Sequence, residues 1–136
     1  MTRILYVDGD PGICPVLSRI FEHYTPLSVC SACSGEEALA WLSWYHADVI
    51  VSGYQLPGMT GIALLHALRS RGIDTPFIVF SERDSEQVRN EAGSDEIFGI
   101  VSRNGSGRRA IMNLLRLVLW AAESRRHDHP SEQETA

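Results

Sequence analysis

The sequence predicts an α/β sandwich of three layers, a parallel five-stranded sheet with helices on both faces, built from five consecutive β–α units. Three observations predict it. The apolar runs at residues 4–7, 49–51, 77–80 and 97–101 are continuous rather than alternating, which marks strands covered on both faces. Between the runs, apolar residues recur at helical spacing. The chain has 136 residues, the size of one domain. Right-handed crossovers then make the sheet doubly wound.

Each element follows in order. The first strand is residues 4–7. In the first helix Ile13, Val16, Leu17, Ile20 and Tyr24 form one stripe, and Pro15 makes its first turn irregular or its start late. Residues 27–30 alternate, which suits a strand at the sheet edge. The second helix opens with a capping box, Ser34 to Glu37, and is expected to bury Ala38, Trp41, Leu42 and Tyr45. After the third strand, Leu64, Leu65 and Leu68 anchor the third helix. A more polar helix follows the fourth strand over residues 84–91, with Asp84 and Gln87 as its cap pair. After the fifth strand, a last helix spans about residues 107–124. Its buried stripe is Ile111, Leu114, Leu115, Val118 and Ala122, which leaves Trp120 pointing away and Leu117 on the flank. The domain is thus residues 1–124, and residues 125–136 are a polar tail expected to be disordered.

Composition narrows the function classes. Hydrophobic residues make up 44% and charged residues 21%, an ordinary globular balance. The longest apolar run, residues 117–122, is too short for a bilayer, and the start is too short for a secretory signal. A soluble, cytoplasmic protein without membrane contact is expected. The net charge of −5 has the wrong sign for a general nucleic-acid binder, and Arg108, Arg109, Arg125 and Arg126 read as a solvated rim. Cys14, Cys30 and Cys33 read as free thiols. Cys30 and Cys33 have CxxC spacing, but Cys30 falls in a strand and Cys33 precedes the helix cap, so neither redox nor metal chemistry is expected.

In doubly wound sheets the functional crevice lies outside the carboxyl ends of the strands. The residues there are Asp8-Gly9-Asp10, Gly53-Tyr54-Gln55, Ser81-Glu82 and Arg103-Asn104. The segment Val7 to Pro11 resembles the acidic cluster that closes the first strand of response-regulator receiver domains. Residues 52–61 resemble that family's phosphoacceptor loop, whose usual form is close to SDYQMPGMDG, and differ from it at Gly53, Leu56 and Thr60. Ser81 matches the family's hydroxyl residue, and Arg103 stands where the family has its lysine. The resemblance covers about residues 3–122. It implies the flavodoxin-like (βα)5 fold with strand order 2-1-3-4-5, and a place in two-component, phosphorelay signalling. Tyr54-Gln55 and Asn104-Gly105 also resemble receivers of methanogenic archaea.

The resemblance further implies phosphoryl transfer from a kinase histidine to an aspartate, with Mg²⁺ held by acids. Residue by residue, that chemistry is dismantled. The acceptor position is Gly53, which has no side chain to form an acyl phosphate. The second acid of the first cluster is Gly9, so Asp8 alone stands at a matched acidic position. Mg²⁺ usually takes one or two carboxylates plus phosphate oxygens, and its affinity is expected to be lost. Arg103 keeps the positive charge without the compact ammonium. Glu82 stands where the family usually has a small residue, and as a carboxylate it would stand in for phosphate. Ile100 occupies the position of a switching aromatic. Asp10 is expected to cap the first helix with its carboxylate. An Asp8–Arg103 contact is expected to take the place of the metal.

The reading is therefore an atypical receiver that acts as a phosphorylation-independent interaction module, not an enzyme, with no cofactor. The alternative is a phosphoacceptor that uses Asp8 or Asp10. The outer face of the last helix, with Leu117, Trp120, Asn113 and Arg116, is the candidate partner surface. A histidine kinase, a downstream effector or a second copy of the chain would bind there.

Overall fold

The computed structural model describes residues 2–24, 26–103 and 107–127, with side chains to residue 125. The elements are β1 (Thr2–Val7), α1 (Ile13–Tyr24), β2 (Leu27–Ala32), α2 (Gly35–Trp44), β3 (Val49–Ser52), β4 (Gln55–Leu56), β5 (Met59–Thr60), α3 (Gly61–Ser70), β6 (Phe77–Ser81), α4 (Ser85–Ala92), β7 (Gly99–Ser102) and α5 (Gly107–His127). The main sheet has the order β2-β1-β3-β6-β7, with every pair parallel. Counting only its five strands, this is the 2-1-3-4-5 order of the flavodoxin-like fold.

Alternate residues along the strands feed two cores. On one face Leu5, Ile50 and Val79 pack with Leu64, Leu65 and Leu68 of α3 and Val88 of α4. On the other, Ile4, Val51 and Ile78 pack with Leu17 and Phe21 of α1 and Leu114 and Val118 of α5. Each of these leucines is fully buried, which stabilises the fold by roughly 1.5–3 kcal/mol apiece. Val7 stands beside both Ala32 and Ser52, and Ser81 beside Ser102, so the chain leaves all five strands along one edge. That shared edge gathers the site.

In α1 the helix buries Leu17 and Phe21, whereas Val16 and Tyr24 are 49% and 54% exposed. Pro15 is accommodated in the first turn, where its missing N–H breaks no helical bond. In α2 the Ser34 hydroxyl accepts from the Glu37 N–H at 3.1 Å. The Glu37 carboxylate accepts from the Cys33 N–H, one residue ahead of the cap. The chain turns out of α2 at Tyr45, which leaves that ring 56% exposed rather than buried. Asp84 caps α4 through the Glu86 N–H, but Gln87 donates forward to Glu91 instead of back to the cap.

The fifth strand begins at Gly99, and Phe98 lies outside it with its ring edge-on to Trp120, centroids 5.6 Å apart. Leu117 lies over Gly99, where an added Cβ would sit 2.5 Å from the leucine Cδ2. Leu117 is thus partly buried against the strand and does not belong to the outward surface. Trp120, Asn113 and Arg116 are exposed as expected. Helix α5 continues past residue 124 to His127, and Arg125 reaches Asp74 at 3.4 Å. Asn104, Gly105 and residues 128–136 lie outside the described residues.

Candidate functional site

At the shared edge a cleft of ≈ 530 Å³ is lined by residues that include Asp8, Asp10, Gly53, Ser81, Glu82 and Arg103. The sheet thus brings together every matched tip residue except Gly9. Backbone bonds fix the tips: the Gly53 N–H donates to the Val7 carbonyl at 2.9 Å, and the Arg103 N–H to the Ser81 carbonyl at 3.0 Å. Ser52 is fully buried and donates its hydroxyl to the Gly53 carbonyl at 2.8 Å. The loop between β3 and α3 is held by the β4–β5 hairpin, whose turn is Pro57-Gly58 with φ +80° at the glycine. Sequence reasoning did not foresee this hairpin.

The carboxylate of Asp8 is met on both oxygens by donors from the chain itself. Its Oδ2 accepts from the Tyr6 hydroxyl at 2.7 Å and from Arg103 Nη1 at 3.2 Å. Its Oδ1 accepts from the Asp10 N–H at 3.0 Å. The expected Asp8–Arg103 contact is therefore present. Arg103 also lies over the Phe80 ring, 5.1 Å from its centroid, in a cation–π arrangement. Asp10 accepts from the Gly12 N–H at 2.9 Å, closing an Asx turn that leads into α1. The Ser81 hydroxyl accepts from the Arg83 N–H at 2.9 Å. Glu82 lines the cleft but is solvent-exposed, which does not support a carboxylate fixed in place of phosphate. Ile100 is partly buried and packs as an aliphatic on the α2–α4 side of the sheet.

These residues do not fit the family's magnesium. Gly9 and Gly53 contribute no carboxylate, and both oxygens of Asp8 already accept hydrogen bonds. An added Cβ at Gly53 would meet nothing closer than 3.8 Å, but one at Gly9 would come within 3.0 Å of Pro57 Cδ. Among the described residues, no three His, Cys, Asp or Glu side chains converge into a metal-binding group.

Tyr6 is a site residue that the sequence reading passed over, although it stands two positions before Asp8 on the same strand face. Burial pushes its hydroxyl well above the ordinary tyrosine value, and the hydrogen bond to Asp8 and that residue's charge push the same way; Arg103 opposes them. A proton held more tightly in the folded state gives stability that is complete below the ordinary tyrosine pKa of about 10 and lost as pH rises above it. In an alkaline titration followed by phenolate absorbance, Tyr6 is expected to ionise last, and Tyr6→Phe to remove that final step. Loss of an early step in Tyr6→Phe, with the final step kept, would contradict this placement.

A second network leaves the acceptor loop. The Tyr54 hydroxyl donates to the Glu91 carboxylate on α4, and Arg83 lies over the Tyr54 ring at 4.8 Å. The bond to Glu91, with some burial, raises the Tyr54 hydroxyl above its usual value. The three cysteines are free; Cys14 is half-buried, and burial pushes its thiol up.

A family model described as response regulator receiver domain matches residues 4–115. Response regulator MprA of Mycolicibacterium vanbaalenii is 35% identical over 97 residues, which cover 69% of this chain and 42% of the relative. The protein of the same name from Mycobacterium avium matches equally. The chain thus spans 42% of the length of these curated relatives. Among solved structures, the receiver domain of Francisella response regulator 1452 superposes with a TM-score of 0.81 at 27% identity, over 92% of this chain and 99% of that one. Chemotaxis response regulator CheY4 of Vibrio cholerae gives a TM-score of 0.73 at 25% identity, over 86% and 98%. Matched across most of its length and folded as these solved receivers are, the chain belongs to the response-regulator receiver family of two-component signalling.

Proposed function

We propose that this receiver works as an interaction module whose signalling state does not depend on aspartyl phosphorylation, and that it binds no magnesium. One observation carries the reading: Gly53 offers no nucleophile, and the neighbouring Asp8 carboxylate is neutralised by Arg103 and hydrogen-bonded by Tyr6 and the Asp10 N–H. In an ordinary receiver clustered carboxylates repel one another until a cation offsets them. Here a single carboxylate faces a built-in guanidinium, so the resting site needs no external charge.

The alternative acceptors are poorly placed for the chemistry. Asp8 is held by three donors, and Asp10 turns one oxygen back to the Gly12 N–H. Each hydrogen bond that a carboxylate accepts stabilises its charge and makes it a weaker nucleophile, and the guanidinium beside Asp8 adds to this. The partner is a histidine kinase or a downstream effector in the cytoplasm. It is met by the outer face of α5, where Trp120 is 64% exposed beside Asn113 and Arg116. An exposed tryptophan braced by a second ring supplies contact area at low entropic cost. A second copy of the chain could use the same face.

The reading is tested by two-dimensional amide NMR of the protein before and after addition of Mg²⁺ and a small-molecule phosphodonor. The spectrum is expected to stay unchanged. Movement of amides at residues 8–10, 53–55 and 81–83 would show an active switch and overturn the proposal.

A further inference from the structure

We propose that His66 is a proton-operated clamp between α3 and α4. Its ring stands on the exposed side of α3 and meets an acceptor at each nitrogen. Nδ1 is 2.5 Å from the Asp95 carboxylate, in the turn after α4, and Nε2 is 3.3 Å from the backbone carbonyl of Glu91 in the last turn of α4. A neutral imidazole has one N–H and one lone pair, so it can satisfy only one of two acceptors. The imidazolium donates to both, and its bond to Asp95 becomes charge-assisted. With an acceptor at each nitrogen, the arrangement suits a ring that donates from both.

Glu91 makes the clamp more than a local contact. While its carbonyl faces His66, its carboxylate accepts from the Tyr54 hydroxyl and from the Gln87 amide. Tyr54 directly follows Gly53, so one chain of contacts runs from the acceptor loop through α4 to α3. Besides Asp95, which His66 contacts, the charged residues on the adjoining turns are Glu91 of α4, Glu96 of the following turn and Arg69 of α3. The Arg69 guanidinium is directed to the carbonyls of Ile73, Thr75 and Glu96. Histidines change charge between about pH 5 and 8. The clamp closes when the ring carries two N–H groups and loosens when it carries one, and α4 gains an input that needs no phosphate. The inference rests on the proposed function only for its signalling meaning.

The test is amide hydrogen exchange of the full chain at about pH 5.5 and about pH 8, corrected for intrinsic exchange, with no phosphodonor present. Protection of residues 91–96 is expected to fall about fivefold between the two in the wild type, the upper scale of a part-exposed ion pair. The fall should vanish in His66→Gln and shrink in Asp95→Asn. Equal protection at both pH values in the wild type, or the same fall in His66→Gln, would overturn the clamp. Phosphorylation of the wild type would instead overturn the proposed function and leave this result standing.

Discussion

Replacing Gly61 with alanine is expected to destabilise the domain by about 3 kcal/mol or more, lowering the melting temperature by roughly 10 °C. A Cβ at this first residue of α3 would sit 2.2 Å from the Gly53 carbonyl oxygen and 3.0 Å from the Ser52 hydroxyl. The obstruction is backbone, not the end of a flexible side chain. It cannot be relieved without moving the acceptor loop. The same shift would break the 2.6 Å bond from the Gly61 N–H to the Tyr54 carbonyl and loosen the bond from Ser52 to Gly53. Gly107→Ala is the control: nothing lies within 4 Å of its Cβ, and its change should stay within about 0.5 kcal/mol. Thermal unfolding of both variants decides the matter, and equal stability would show that the loop yields.

Arg103→Ala is expected to cost about 2 kcal/mol. Removing one partner of a buried ion pair typically costs about 3–5 kcal/mol, because the other charge is left without compensation. The figure is lower here, since Asp8 keeps Tyr6 and the Asp10 N–H and the Arg103 side chain is 26% exposed. Arg103→Lys should lose less, retaining charge but not the planar fork. A double-mutant cycle with Asp8→Asn isolates the pair: the double variant should lose less than the sum of the two single variants. Additivity within about 0.5 kcal/mol would mean that the contact contributes nothing.

The sequence made the frame of this molecule legible because its strands are covered on both faces. Continuous apolar runs locate such strands, and crossover handedness orders them. The Asp8–Arg103 pair was legible for a related reason: with Gly9 and Gly53 in place, one acid and one base were left facing each other. What escaped depends on packing partners distant in the chain. Leu117 reads as a flank residue on a helical wheel, yet the missing side chain at Gly99 lets it settle onto the sheet. Val16 and Tyr24 share a stripe with Ile20 by spacing, but α1 meets the sheet along Leu17 and Phe21. Tyr45 falls beyond the last turn of α2, a boundary set by where the chain leaves the helix. The Tyr54–Glu91 and His66–Asp95 contacts join residues 37 and 29 positions apart, and no local pattern announces either.

Intact mass spectrometry after incubation with Mg²⁺ and a small-molecule phosphodonor tests the central claim most directly. An ordinary receiver serves as the positive control, and Gly53→Asp is run beside the wild type because its new side chain has room. The wild type is predicted to show no added phosphoryl group while the control is labelled. A wild-type product heavier by one phosphoryl group, mapped by peptide analysis to Asp8 or Asp10, would contradict the account and identify a relocated acceptor.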